Sequence, residues 1–190
     1  TDKIQRSNLN GSVSSRVDLV EGLDYPYGLA LLLNSNDAPV LAGVEGSTLA
    51  YTEGDAASTI SASVTTADVD DTQIENATVQ ITTNLDNTED VLAFTNQNGI
   101  TGSFTASTGL MTLSGTASLA NYETALRAVT YQNTDTDNPT TSTRMVTFTI
   151  NDGTGDSNTQ TRAISITAVN DNPVLAGVEG STLAYTEGDA

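Results

Sequence analysis

The sequence contains one segment twice. Residues 170–190 repeat residues 36–56, and the only difference is Asn172 in the place of Ala38. The two copies begin 134 residues apart, at Asn36 and Asn170. A period of that length is a whole domain and not one turn of a solenoid. We therefore expect a fragment of a longer protein that holds one complete repeat of a tandem array and the start of the next.

The period predicts four parts of the chain. Residues 1–33 differ in character from the rest and form a remnant of another unit, followed by a linker at 34–38. The repeat itself occupies 39–169. Residues 170–190 are the next linker and the first strand of a second, truncated repeat. The repeat is long enough to bury a core of its own.

The composition excludes several classes of function. The chain carries 24 acidic and 6 basic residues, a net charge of −18, and it has neither His nor Cys. Such a surface repels nucleic acid and anionic lipid and attracts cations, although solubility alone would also explain it. Thiol and imidazole catalysis, disulfides and ordinary zinc sites are excluded. No apolar stretch is long enough to span a membrane, so we expect no membrane insertion. Because of the negative charge, we do not expect a nucleic-acid partner.

From residue 39 onward, runs rich in Thr, Val, Ile and Ala alternate with Gly, Asn and Asp turns, which is typical of β-strands. In the strand at 143–151, Val146, Phe148 and Ile150 share one face, which we expect to lie in the core. Asn98-Gly99 is a strong hairpin signal, and Ser107-Thr108-Gly109 is a weaker one. We predict strands near 40–44, 47–52, 58–64, 76–84, 90–95, 100–105, 109–114, 126–132, 143–151 and 159–169.

One segment breaks the β pattern. Ser118 can cap a short helix in which Leu119, Tyr122 and Leu126 fall on one stripe. We interpret this segment as a crossover helix that closes one end of a β-sandwich.

Oxygen-bearing side chains form three groups that we expect at the ends of the domain. They are the linker Asn36-Asp37 with its copy Asn170-Asp171-Asn172, the stretch Asp68-Val69-Asp70-Asp71, and Asn151-Asp152-Gly153. If Asp68 to Asp70 is extended, both carboxylates point the same way. Calcium takes six to eight oxygen ligands and would cancel the repulsion among such carboxylates. The competing interpretation is that these Asp residues only form turns. Asp135 and Asp137 are expected in a solvated loop, with an added ion as the alternative.

These groups resemble the calcium motifs of cadherins. Asn170-Asp171-Asn172-Pro173 is similar to the cadherin linker, and the motifs at Asp68-Val69-Asp70, Asn151-Asp152-Gly153 and Tyr51-Thr52-Glu53 are similar to its Asp-x-Asp, x-Asp-x and x-Glu-x motifs. The stretch Tyr122–Tyr131 is similar to one in cadherin-like repeats of giant bacterial surface proteins. The fold that this resemblance implies is an all-β, cadherin- or immunoglobulin-like Greek-key β-sandwich. Within residues 1–33, the run from Lys3 to Leu31 resembles part of a YWTD-type β-propeller blade.

The cadherin resemblance implies calcium as the cofactor and assigns the ligands to two poles of the repeat. The upper site would use Asn36, Asp37, Asp68, Asp70 and Asp152. The lower site would use Glu53, Asn170, Asp171 and Asn172, together with residues of the following repeat.

The leading hypothesis for function is a structural and adhesive repeat at the surface of a bacterial cell, outside the cytoplasm, stiffened by calcium between neighbouring repeats of the same chain. A second hypothesis is a carbohydrate-binding module for surface glycans, although aromatic residues make up only 5% of the chain. A third is strand exchange, in which the segment 170–190 enters the first-strand position of another molecule and builds head-to-tail filaments. An enzyme is not expected, because only scattered Asp and Glu residues would support one.

Overall fold

The computed structural model describes residues 36–177 and residue 180. The predicted propeller-like remnant at 1–33 and most of the second copy of the repeated segment lie outside these residues. Within them the chain forms eleven strands and one α-helix. The elements are β1 (Val40–Ala42), β2 (Leu49–Thr52), β3 (Ser58–Thr59), β4 (Thr65–Ala67), β5 (Gln73–Thr83), β6 (Asp90–Ala93), β7 (Thr101–Thr105), β8 (Leu110–Ser118), α1 (Leu119–Arg127), β9 (Thr130–Asn133), β10 (Arg144–Asn151) and β11 (Gln160–Thr167).

The strands form an all-β sandwich. The larger sheet has the order β2-β11-β10-β5-β8-β7, the second sheet has the order β3-β9-β6, and β1 pairs with β4 in a two-stranded ribbon. The chain crosses between the two larger sheets after β2, after β3 by way of β4, after β5, after β6, through α1 and after β9. The predicted fold class is confirmed, and α1 is a crossover helix as expected. No described helix is long and apolar enough to cross a membrane.

The core lies between the two sheets and follows the two-residue period of the strands. Val146, Phe148 and Ile150 are fully buried, and so is Ile164 in β11. The predicted core face of β10 is therefore confirmed. Tyr51 and Tyr131 join the same core with their rings edge to face and their centroids 5.3 Å apart. A ring pair of this geometry stabilises the core by more than the area that it buries.

The helix begins where the sequence predicts. The Ser118 hydroxyl accepts a hydrogen bond from the backbone N–H of Asn121 at 3.2 Å, which is the N-cap interaction. Tyr122 and Leu126 are buried, and Leu119 is partly buried against them. The predicted strand at 126–132 is wrong at its start, because Leu126 completes the apolar stripe of the helix and the strand begins only at Thr130.

Two other strand predictions need correction. Only residues 58–59 of the predicted strand 58–64 are extended in a sheet, and a strand at 65–67 was not predicted. The short segment between them bends because the Ser61 hydroxyl accepts a hydrogen bond from the N–H of Val64. The strand predicted at 109–114 continues to Ser118.

The Asn98-Gly99 hairpin is confirmed. Both residues have positive φ, 53° and 79°, and Gln97 and Ile100 exchange two backbone hydrogen bonds of 3.1 and 2.7 Å across the turn. Positive φ at both central residues is the type I′ pattern that suits the twist of a hairpin. Gly115 on the neighbouring strand has φ +133°, and a Cβ there would lie 2.4 Å from the Gly99 carbonyl oxygen. The turn therefore packs against a position that only glycine can occupy.

A buried ion cluster holds the loops at the start of β10. The Arg144 side chain is fully buried and contacts the carboxylates of Glu89 and Asp90, each at 2.9 Å. Its Nη1 group donates to the carbonyls of Thr140 and Ser142 at 3.1 and 2.6 Å, and its Nη2 group also donates to the Thr140 hydroxyl. Buried charges are tolerated when they are paired and hydrogen-bonded in this way.

Candidate metal centre

The connection between β4 and β5 is a tight bend and not an extended segment. The Oδ1 atom of Asp68 accepts hydrogen bonds from the backbone N–H groups of Asp70 and Asp71, both at 3.1 Å. Such bonds from an Asp side chain to the backbone two residues on are typical of an Asx turn. Because residues 68–70 are not extended, strand alternation does not point the Asp68 and Asp70 carboxylates the same way. The bend instead turns Asp71 toward the carboxylate of Asp68.

A second acidic turn follows β10. The Oδ1 atom of Asp152 accepts hydrogen bonds from the backbone N–H groups of Thr154 and Gly155, at 2.7 and 2.8 Å. Gly153 has φ +101°, and a Cβ on it would lie 2.7 Å from the carboxyl carbon of Glu75. Glycine at 153 therefore lets the carboxylate of Glu75 approach the turn closely.

The linker residues join these two turns. The side-chain amide of Asn36 donates to Oδ2 of Asp152 at 2.8 Å. The backbone N–H of Asp37 donates to both carboxylate oxygens of Asp70, at 3.1 and 3.2 Å. Hydrogen bonds thus link all five residues predicted for the upper site. Asp37, however, takes part only through its backbone, and the Asp70 carboxylate accepts from the linker and does not join the carboxylates of Asp68 and Asp152.

Three carboxylates converge at this pole, which we call the upper pole. Asp68, Asp71 and Asp152 each offer an oxygen within 4.8 Å of the others. Partial burial, followed by the charges of Asp70, Asp68 and Asp152, raises the pKa of the Asp71 carboxyl. Burial and the neighbouring negative charges thus both disfavour the ionised form of Asp71.

The pKa of the Asp152 carboxyl is shifted in the opposite direction, although this residue belongs to the same cluster. Burial alone would raise the pKa of its carboxyl, but hydrogen bonds from Asn36, Gly155 and Thr154 lower it to about 2. Asp152 therefore keeps its negative charge at any ordinary pH. A cation bound here would be attracted by the charge of Asp152 and would favour the ionised form of Asp71.

The donor set fits calcium. All three converging groups are carboxylates, and carboxylate oxygens are the ligands that a hard cation such as calcium prefers. Among the described residues, Oδ2 of Asp68 is buried and has no hydrogen-bond partner. A buried carboxylate oxygen without a partner is costly unless an ion or water satisfies it. Asp68, Asp71 and Asp152 would hold the ion directly.

The lower pole lies at the other end of β11. Oε2 of Glu53 accepts a hydrogen bond from the backbone N–H of Val169 at 2.7 Å, and Oε1 of Glu53 is buried without a hydrogen-bond partner in the described part of the chain. The linker residues Asn170, Asp171 and Asn172 follow directly and are exposed. The Asn170 amide donates to the carbonyl of Asp171 at 3.0 Å, and Asn36 makes the same bond to Asp37 at 3.3 Å. The two linkers therefore share this side-chain contact, and Glu53 contacts the residue that precedes the second linker.

Sequence reasoning missed two residues of the upper pole. Asp71 is the last residue of the acidic stretch, but the predicted ligand set omits it because strand alternation favours Asp68 and Asp70. Glu75 lies in a strand and shows no turn signal, so only the close approach at Gly153 reveals it.

Comparison with known proteins gives one partial relative. The chain is 37% identical over 110 residues to halomucin of the archaeon Haloquadratum walsbyi. The match covers 55% of this chain but 1% of halomucin. The chain is therefore similar to a small part of a much longer protein and spans about one hundredth of its length. No protein-family model matches the chain, and no solved structure does. The cadherin and propeller resemblances remain predictions from the sequence.

Proposed function

We propose that this chain carries one repeat of a large extracellular surface protein, and that calcium bound at the poles stiffens the junction between neighbouring repeats. The observation that carries this proposal is the convergence of Asp68, Asp71 and Asp152 at the pole where the linker enters. The contacts of Asn36 and Asp37 with the same turns mean that an ion there would fix the linker as well as the turns.

The size and name of the relative support the extracellular part of the proposal. Halomucin is named as a mucin, and the aligned part is about one hundredth of it. A protein of that length with domain-sized repeats is suited to reach away from a cell. Stiff junctions would turn a string of such repeats into a spacer that presents a distal adhesive module.

Calcium should act on both stability and shape. In the absence of an ion, the carboxylates at the upper pole repel one another and the linker is held by few hydrogen bonds. With calcium bound, the melting temperature should rise and the maximum dimension in small-angle scattering should increase as the linker straightens. Magnesium at the same concentration is the control, because it prefers fewer ligands and holds its water more tightly. Equal stability and equal dimensions in calcium and in chelator would refute the proposal.

The carbohydrate-binding alternative gains no support from the described residues. Sugar platforms need exposed aromatic rings, whereas Tyr51, Tyr122, Tyr131 and Phe148 are fully buried. In residues 36–177, Phe94 and Phe104 are only partly exposed, against the core. Binding to a glycan array that disappears on replacement of Phe94 would revive this alternative.

Strand exchange remains a second proposal with a clear structural requirement. The segment 170–190 could enter another molecule only by displacing the nearly identical segment 36–56, which places Leu41 and Tyr51 in the core. In the second copy the residue equivalent to Leu41 is Leu175, which is 86% exposed. Size-exclusion chromatography that shows only monomer over a wide concentration range would rule this proposal out.

A further inference from the structure

The strand pair that joins the beginning of the domain to its end, β2 with β11, is parallel. β2 pairs with β11 from Leu49 opposite Ile164 to Thr52 opposite Thr167. One more backbone bond continues the ladder, from the N–H of Glu53 to the carbonyl of Thr167 at 2.9 Å. Asn36 contacts Asp152, beyond the start of β11, whereas Val169 lies beyond its end. The chain therefore enters the domain at one pole and leaves it at the other.

Side chains lengthen this connection beyond the strands themselves. At the lower pole, Glu53 accepts the N–H of Val169 at 2.7 Å. Toward the upper pole, the Arg162 guanidinium in β11 donates to the carbonyl of Ser47, just before β2, at 3.1 Å.

The Asn158 side chain, just before β11, hydrogen-bonds to the backbone of β1 as a neighbouring strand would. Its side-chain oxygen accepts the N–H of Leu41 and its amide donates to the Leu41 carbonyl, both at 2.8 Å. One side chain thus replaces a pair of ladder bonds. The segment from β1 to Glu53 is therefore fastened along its length to the last part of the domain.

We infer that the repeat is a mechanical element that resists tension along the array, and that the β2–β11 pair is the part that bears it. Tension pulls β2 toward the upper pole and β11 toward the lower pole. Because the strands are parallel, these pulls slide one strand along the other, and the hydrogen bonds between them are loaded together. If both pulls came from the same pole, the strands would peel apart one bond at a time. Loading several bonds at once raises the barrier that governs forced unfolding.

This inference rests on the proposed function only in assuming that tension reaches the repeat through its neighbours in an array. It does not depend on calcium, since every bond of the β2–β11 connection joins groups of the protein. The resistance should therefore persist in chelator. Dimensions that do not respond to calcium, together with a resistance that persists in chelator, would refute the calcium proposal alone. Dimensions that respond to calcium, without such a resistance, would refute this inference alone.

The direct test is single-molecule force spectroscopy on the full chain in two pulling geometries. The chain has no Cys, so a single introduced thiol gives a unique attachment point. In the first geometry, handles are attached to the two ends of the chain. In the second, one handle is attached at Ala56→Cys, an exposed position just after β2, and the other at the carboxyl end. The extended length of the unfolded segment identifies the event, roughly 440–480 Å for residues 36–169 and roughly 370–410 Å for 56–169, each less the distance between its ends in the folded domain.

We expect the unfolding force between the chain ends to be about twofold or more higher than in the Ala56 geometry, in calcium and in chelator alike. Equal forces in the two geometries would overturn the inference. A force between the chain ends that falls in chelator to the Ala56 value would overturn it as well.

A pair of variants tests the side-chain part of the connection. Asn158→Ala removes both bonds to Leu41 and should raise the unfolding rate at fixed force about tenfold or more. Asn87→Ala, at an exposed position between β5 and β6, is the matched control and should leave the rate unchanged. Equal rates for the two variants would show that Asn158 does not share the tension.

Discussion

The substitution Asp68→Asn tests the upper pole at one atom. Oδ1 of residue 68 closes the Asx turn with the N–H groups of Asp70 and Asp71, and asparagine keeps that oxygen. The buried Oδ2 atom, which has no partner among the described residues, becomes an amide that cannot bind a cation. The variant should therefore fold normally and lose one charged calcium ligand.

The expected magnitude follows from binding linkage. The site is built from three separate parts of the chain, so it exists only in the folded protein and calcium binding adds directly to stability. For a dissociation constant of about 0.1–1 mM, as in extracellular modules, about 10 mM calcium contributes about 1.4–2.7 kcal/mol. In a domain of this size that corresponds to a rise in melting temperature of about 5–12 °C. Loss of one carboxylate weakens binding about tenfold or more and removes about 1 kcal/mol of the gain.

The assay is differential scanning calorimetry of the parent and the variant in chelator, magnesium and calcium. The matched control is Asp137→Asn, which removes one exposed carboxylate in the loop between β9 and β10. We expect the calcium increment to shrink by half or more in Asp68→Asn and to be unchanged in the control. An unchanged increment in Asp68→Asn would refute the assignment of this oxygen as a ligand.

Three further predictions concern the fold. Arg144→Met leaves the carboxylates of Glu89 and Asp90 buried without their cation, and it should cost about 3–5 kcal/mol in chemical denaturation. Burial would raise the pKa of the Glu45 carboxyl, but hydrogen bonds from Ser61 and the nearby backbone lower it from 4.5 to about 2. Its stabilising effect is therefore present above pH 4.5 and lost as the pH falls toward 2, so Glu45→Gln should flatten the acid branch of the stability curve. Gly115→Ala forces a Cβ against the Gly99 turn and should destabilise the domain by about 1–3 kcal/mol in urea titration.

The predictions for Arg144 and Gly115 each have a matched control. Arg127→Met removes a partly exposed pair with Glu123 and should cost about 1 kcal/mol at most. Gly46→Ala adds a Cβ with nothing within 4 Å and should be close to neutral. If Arg144→Met costs no more than Arg127→Met, or Gly115→Ala no more than Gly46→Ala, the packing described at that position is wrong.

Local patterns predicted most of the fold. Alternation in β10, the cap at Ser118 and the Asn98-Gly99 turn depend on neighbouring residues, and the structure confirms all three. The boundary of α1 was harder to place, because Leu126 fits the helical stripe as well as the strand pattern. The ion pair between Arg144 and Asp90 joins residues that are far apart in sequence, and no local signal marks it.

The sequence predicted part of the upper pole but not its geometry. The acidic stretches identify which residues are available, and the repeated linker indicates where they meet. Which carboxylates converge is decided by the Asx turn at Asp68, a choice between two backbone conformations that the residue types alone do not fix. The prediction therefore included Asp70 as a ligand and omitted Asp71.

The parallel pairing of β2 and β11 has a consequence for how such a protein is made. In the folded repeat, β11 pairs with a strand that was synthesised long before it, since Leu49 precedes Ile164 by 115 residues. An identical copy of that strand, beginning at Leu183, emerges from the ribosome only 19 residues after Ile164. Closing the shorter loop costs less entropy, so the wrong copy is the kinetically nearer partner. In a tandem array of the kind we propose, each repeat must therefore complete its own pairing before the next copy becomes available, which makes the speed of folding relative to translation a condition for correct assembly.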